Sequence, residues 1–446
     1  MKLACWLCLL GVSRGAAAET TAAWHARMRD EFQTVFDENN GIVPQATAFI
    51  VAVADPLHGD ASWAFGNYEI DNKTVPSTVD DHFGIGSISK SFGATTYLRL
   101  AEENVLDLDA TVDAVAPGTC ASEYDAYTLR ELIGMRTCIP DAFNEPIFVD
   151  DMVADPAARP SLETIINAAV AGGVNESSPD CKMIHESIAA YSTTNYLCME
   201  LIAEKVTGRT IASLVAEYVL APLNLHEMTL PPRNSSGYLP EPAARPYNWQ
   251  SCAAEFTLSN ASVPMGWTID EIYRSLVVVG TGGSMSSTIS DLLAWAASGV
   301  GDTLLAPETL VERHEYHPMG GPDSLNRFRT YGLGQHTQEY IWFFDYGVPG
   351  DWRGHGGDSF GFASLAMRSD LHNASFAAVA NTCNLPEINT AALKKFNADL
   401  EARAAATEAP TTAQTFEPTA TPESDAAGRM SPAVGAAAVA LLAFVA

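Results

Sequence analysis

The spacing of apolar residues changes along the chain, and the changes mark its elements. Over residues 20–38 the apolar side chains Trp24, Met28, Phe32 and Phe36 recur at helical spacing, which predicts an amphipathic helix. TAFIVAVAD (47–55) is a short apolar run of the kind a buried strand shows, and ASWAFGNYEI (61–70) is its predicted hairpin partner. From about 80 to 310 the pattern is mostly helical, broken by polar, Pro-rich stretches near 139–160 and 229–267. Strand-like runs return at EYIWFFDYGV (339–348), SFGFASLAMRS (359–369) and ASFAAVANT (374–382). The segment starting Pro386-Glu387-Ile388 is helical again. Strands and a helix near each end, with helices between, imply one sheet assembled from both halves of the chain.

Candidate chemistry starts at Ser87-Ile88-Ser89-Lys90, where glycines precede the serine and a periodic apolar run follows. A serine hydroxyl is a weak nucleophile at neutral pH and needs a base. Residues three apart share one helix face, so Lys90 can aim its amine at the Ser87 oxygen. The positive end of the helix favours negative charge developing there. Two further segments follow in order: Tyr191 opening YSTTNYLCMELIAEKVTG, and His355-Gly356-Gly357 within WRGHGGDSFGFASLAMR.

The S-x-x-K pair, the tyrosine and the H-x-G-like segment resemble the class C-like branch of the β-lactamase-related serine hydrolases. YTLRELIGMRTCIPD (127–141), GGSMSSTISDLLAWA (282–296) and YGLGQ (331–335) extend the resemblance, which runs from about 30 to 400. DD-carboxypeptidases, D-aminopeptidases and esterases belong to that group. The resemblance implies an α+β fold of the β-lactamase/penicillin-binding-protein type, an antiparallel sheet flanked by terminal helices with a mostly helical region inserted. It also implies an acyl-enzyme on Ser87, with Lys90 as base and Tyr191 passing the proton to the leaving group. The backbone N–H groups of Ser87 and Asp358 would form the oxyanion hole, and Thr193, Gly356 and Gly357 would meet the substrate. His355 stands where many relatives carry a lysine. An unperturbed imidazole loses its charge across neutral pH, so a substrate carboxylate held by His355 would bind better in acid.

One departure is Tyr191-Ser192-Thr193, where the family pattern ends in asparagine. Thr193 offers only a short hydroxyl, and Asn195 would face elsewhere on a helix. Amide recognition is weakened by this change, and an ester or unusual amide gains ground. The different-class alternative is a catalytically silent surface protein that binds peptide or wall glycan in the cleft.

Two other motifs do not fit their chemistry. Gly357-Asp358-Ser359-Phe360-Gly361 satisfies G-x-S-x-G, but a strand-like run follows where an elbow needs a helix, and His372 is the only later histidine. His314-Glu315-Tyr316-His317 is one residue short of H-E-x-x-H, so its imidazoles miss the shared helix face of a zinc site. No metal and no cofactor is expected.

Composition adds the setting. Of the residues, 47% are apolar and 18% charged, enough for a sizeable core. The net charge of −29 argues against nucleic acid, another polyanion, as partner. Residues 1–18 read as a signal peptide with Lys2, an apolar stretch and Ala16-Ala17-Ala18. Sequons at Asn72, Asn175, Asn234, Asn260 and Asn373 agree with export. Cys120, Cys138, Cys181, Cys198, Cys252 and Cys383 remain after a signal, an even set that suggests disulfides. Short loops favour Cys120–Cys138 and Cys181–Cys198, leaving Cys252–Cys383. The catalytic domain is placed at 19–405. Residues 406–423 form a Thr/Pro-rich stalk, and 424–446 combine small residues with an apolar tail too short to span a bilayer, as in a GPI-attachment signal. The expectation is a secreted or cell-surface hydrolase of small-molecule or peptide substrates, touching membrane only through the lipid.

Overall fold

The computed structural model describes residues 19–39, 48–67, 75–142, 160–174, 179–233, 239–244, 277–320, 330–337, 348–359, 361–381 and 386–408. The first of two units, Met1–Ala402, holds all of the sheet and the site. Of the second, Arg403–Ala446, the described residues are Arg403–Glu408, the last turns of a helix. The proposed signal and tail lie outside the described residues, as do Asn72, Asn175, Asn234, Asn260, Cys252 and Cys383; of the proposed stalk only 406–408 are described, and they belong to the closing helix. Among the described residues no helix is long and apolar enough to cross a membrane.

Eight antiparallel strands form the main sheet. In chain order they are β1 (Ala48–Asp55), β2 (Gly59–Gly66), β5 (His317–Pro318), β6 (Thr330–Tyr331), β7 (His336–Thr337), β8 (Arg353–Ser359), β9 (Phe362–Ser369) and β10 (Ala374–Ala380). Their order across the sheet is β2-β1-β10-β9-β8-β7-β6-β5. A separate pair, β3 (Phe83–Gly84) and β4 (Ser286–Ser287), is antiparallel too. β1 pairs directly with β10, Phe49 opposite Ala380, so the two ends of the domain do meet in the sheet.

Continuous apolar runs are required because both faces of the central strands are covered. Phe49, Val51, Val53, Phe376 and Met367 face a core with Trp24, Met28 and Phe32 of the helix Thr21–Asn39 and Leu393 and Phe396 of the closing helix Pro386–Glu408. Ile50, Ala52, Ala366, Ala377 and Val379 face the larger helical layer, among them Phe92, Leu197 and Trp295. The terminal helices are also tied by Trp24 Nε1 donating to Asp399 at 2.9 Å.

Two expectations change, and one falls on residues that are not described. β2 runs Gly59–Gly66, and residues 68–70 of the expected strand lie outside the described residues. The run starting at Ser359 is split, since Ser359 closes β8 and β9 begins at Phe362. The run at 339–348 lies outside the described residues up to 347. The disulfides differ as well: Cys120 joins Cys198 and Cys138 joins Cys181, with Cα–Cα distances of 5.7 and 5.5 Å. The short-loop pairing fails because the closure penalty grows only slowly with loop length, so spatial proximity decides.

Candidate active site

The nucleophile turn is set by backbone fit. Ile85 N–H bonds the Met285 carbonyl at 3.0 Å just beyond the β3–β4 pair. Gly86–Ile88 make one 3₁₀ turn that runs into the helix Ser89–Glu102. Gly86 has φ +49, and a Cβ there would sit 2.5 Å from the Asp358 carbonyl oxygen of β8. A Cβ at Gly357 would strike the Ile85 carbonyl. Glycine at both places therefore lets β8 lie directly on the serine turn. Besides the substrate approach expected of the β8 glycines, Gly357 serves contact between two parts of the protein. Ser364 Oγ clasps the junction, reaching the Ile85 carbonyl at 3.0 Å and the Gly357 carbonyl at 3.1 Å. The Ser87 and Asp358 backbones are adjacent as a result, as an oxyanion pair requires.

Ser87 is half-buried, and Lys90 beneath it is fully buried. Lys90 Nζ lies 3.1 Å from Ser87 Oγ and 2.6 Å from the Gly282 carbonyl oxygen. Burial pushes the Lys90 amine down to about 7, opposed by the nearby Asp141 carboxylate. About half the molecules at pH 7 then carry a neutral amine at this place, against a minute fraction for a solvated lysine.

Tyr191 sits just ahead of the helix Thr193–Thr207, whose N-cap is Ser192. Ala190 N–H bonds the Met135 carbonyl at 2.8 Å, and Ser192 Oγ donates to the Pro140 carbonyl at 3.2 Å, fixing the tyrosine from both sides. Its ring lies under the Lys90 ammonium, 4.9 Å to the centroid. Burial raises the phenol well above its ordinary value, and a hydrogen bond with Ser87 opposes the rise. Tyr191 therefore stays protonated, suited to passing a proton and not to serving as a phenolate base.

His355 lies on β8, fully buried, its ring 6.3 Å from that of Tyr191. Nδ1 faces the Gly356 carbonyl, which assigns the proton there and leaves Nε2 to accept from the Tyr331 hydroxyl at 3.2 Å. Burial lowers its pKa to about 3, with the Lys90 charge pushing the same way and the Gly356 carbonyl opposing. The expectation of a titrating cation is corrected: His355 is neutral across the working range. His336 and Tyr331, which sequence reasoning did not single out, complete this layer. His336 Nε2 accepts from Gly356 N–H at 2.8 Å, and its ring lies 5.0 Å from that of His355, tilted by 59°. Tyr331 opens the YGLGQ segment; His336 follows it and carries no sequence signal of its own.

Thr193 is buried, and a Cβ at Gly282 would come within 2.7 Å of its methyl group. Its methyl group packs against the 280–282 turn. Asn195 does face elsewhere, accepting from Thr137 Oγ1 at 2.7 Å. Ser359 passes into a strand hairpin, where a nucleophile elbow would need a helix, and His314 pairs with Asp302 at 2.8 Å.

A family model described as Beta-lactamase matches residues 46–400. Penicillin-binding protein 4 of Amycolatopsis lactamdurans is 27% identical over 211 residues, covering 46% of this chain and 50% of its own length. Penicillin-binding protein 4* of Bacillus subtilis (strain 168) is 24% identical over 201 residues, 45% of this chain and 41% of its own. The chain thus spans about half the length of the curated relatives it matches. A D-amino acid amidase from Ochrobactrum anthropi SV3, solved with L-phenylalanine amide, superposes with TM-score 0.66 at 20% identity, over 85% of this chain and 99% of that one. A D-stereospecific amidohydrolase from Streptomyces sp. gives 0.62 at 22%, over 79% and 94%. At such identities the likeness establishes the fold. With the family model spanning most of its length, this chain belongs to the beta-lactamase-related family of serine hydrolases.

Proposed function

We propose that the protein hydrolyses amide or peptide bonds of small substrates through an acyl-enzyme on Ser87. The observation that carries this is the buried Lys90 amine 3.1 Å from Ser87 Oγ, with its pKa brought to about 7. Neutral Lys90 takes the Ser87 proton as Oγ bonds to the acyl carbon. The Ser87 and Asp358 N–H groups receive the oxyanion. Tyr191 delivers a proton to the departing amine, the C–N bond breaks, and water releases the acid by the reverse relay.

Charge around the site selects among substrates. His355 is neutral and gives a substrate carboxylate no cation. The carboxylates of Asp141 and Asp358 both act on Tyr191, and that of Asp141 acts on Lys90. An amide bearing a free, protonated amine suits this environment better than one ending in a carboxylate. The names of the amidase and amidohydrolase with the same fold support this choice.

The test is hydrolysis of phenylalanine amide, both enantiomers, against its N-acetyl derivative and a dipeptide with a free C-terminal carboxylate. The free-amine amide should be favoured in kcat/KM by about tenfold or more, the worth of one hydrogen bond between charged groups. Asp141→Asn should narrow that margin. Equal or better turnover of the N-acetyl amide would reject the amine preference.

We place the enzyme at the cell surface, with signal and lipid anchor at the ends. In support, Asn373 lies exposed in the tight turn between β9 and β10, open to a glycan. Release of the full-length protein from a eukaryotic host's membrane by a phosphatidylinositol-specific phospholipase is the expected behaviour. Retention after such treatment would reject the anchor.

A further inference from the structure

The second partner of Lys90 is a backbone carbonyl on an irregular turn, and the structure shows what holds that turn. Val277–Gly282 is a short 3₁₀ stretch interrupted at Gly280, where φ is 45 and ψ −127. Glu200, in the middle of the helix Thr193–Thr207, points its fully buried carboxylate into this bend. Glu200 Oε2 accepts the Thr281 N–H at 2.9 Å and the Thr281 hydroxyl at 3.3 Å. The same hydroxyl meets Tyr97 OH at 2.9 Å. Oε1 receives Arg233 Nη1 at 2.7 Å, and Arg233 also pairs with Glu204. A Cβ at Gly280 would collide with the carboxylate, so the bend is moulded around it. Gly282, whose carbonyl meets Lys90 Nζ, follows directly.

We propose that Glu200 is a positioning residue for catalysis: it pins Thr281, and through it the Gly282 carbonyl that holds the Lys90 amine against Ser87. The inference rests on the reading of Lys90 as the base. A buried carboxylate is a demanding way to shape a turn, because it must be compensated on every side. Here Arg233, Thr281 and Tyr97 surround it, while Glu204 repels it. Burial pushes the Glu200 carboxyl up to about 7, and Arg233 and the Thr281 N–H hold it down.

The experiment measures covalent labelling of the full chain by a fluorophosphonate across pH 5–9, separating the maximal rate from the affinity. Thermal melts of each variant accompany it. Glu200→Leu should lower the maximal labelling rate by about 10–100-fold with affinity changed little, as expected for a displaced catalytic group. Its acid limb should move about one unit to lower pH, because the carbonyl that favours the ammonium form is lost. Glu200→Gln, whose amide oxygen still accepts from Thr281, should recover most of the rate. Glu200→Asp keeps the charge but is one methylene short. It should be slowed like the leucine variant, and it carries the test if that variant does not fold. Folded variants that label at the wild-type rate with an unmoved acid limb overturn the proposal. Lys90→Met separates the two readings. If it labels as fast as wild type, the base assignment falls and the proposal with it; if it is silent while the Glu200 variants are unaffected, only the positioning role fails.

Discussion

Lys90 is held in a state its own chemistry resists, and that has consequences for pH and stability. Its folded pKa of about 7 lies below the ordinary 10.5. Activity needs the neutral amine, so kcat/KM should rise with pH through about 7 and level off above it. Lys90→Arg, which cannot deprotonate, should lose about 10²–10⁴-fold. The linkage has a definite sign. Between the two pKa values the unfolded chain binds more protons than the folded one, so stability rises with pH across that window. Lys90→Met removes this penalty. At pH 7 it should unfold at higher denaturant than wild type, by a free energy on the order of 4 kcal/mol, and the gap should shrink by pH 9. A wild type more stable than Lys90→Met at pH 7 would show that the amine is not strained. At this scale the sequence was readable where chemistry is local. Ser87 and Lys90 share one helix face, so their spacing announced them. Glu200, His336 and Tyr331 come to the site only through tertiary contact, and no spacing along the chain announces them. The charge state of His355 was misread for the same reason, because burial is set by β7, β9 and the helical layer together.

Among the elements, β8 has the largest functional part and the weakest sequence signal. RGHGGDS has almost no apolar content, and period-two reading passes over it. It is a strand because β9 supplies a full ladder, from Arg353 opposite Arg368 to Ser359 opposite Phe362. β1 and β10 were legible because both of their faces are covered and every position favours apolar residues. β6 and β7, two residues each, were not. The seat of β8 on the serine turn depends on two missing Cβ atoms. Gly86→Ala should force a left-handed backbone onto alanine and push the Asp358 carbonyl away. The expected result is a loss of about 1–3 kcal/mol of stability together with a fall in kcat exceeding any rise in KM. An alanine variant with wild-type kcat would mean that the close approach of β8 does not shape the site.

Across the whole molecule, the sheet joining β1 to β10 was foreseen from strands near both ends, whereas the cysteine pairing was not. Both observed bridges tie the region around the Tyr191 helix to segments far off in sequence, with separations of 78 and 43 residues. Peptide mapping without reduction should recover Cys120 linked to Cys198 and Cys138 linked to Cys181. Replacing the first pair by serines should lower stability by about 2–4 kcal/mol, read from denaturant midpoints. Peptides joining Cys120 to Cys138 would contradict the fold around Tyr191. The central claim remains the acyl-enzyme on Ser87, and intact-mass analysis with peptide mapping tests it most directly. After treatment with a slowly released acylating ester, wild type should gain one acyl mass, mapped to Ser87, and Ser87→Ala should gain none. An adduct that persists in Ser87→Ala, or one that maps to Ser359, would contradict the account.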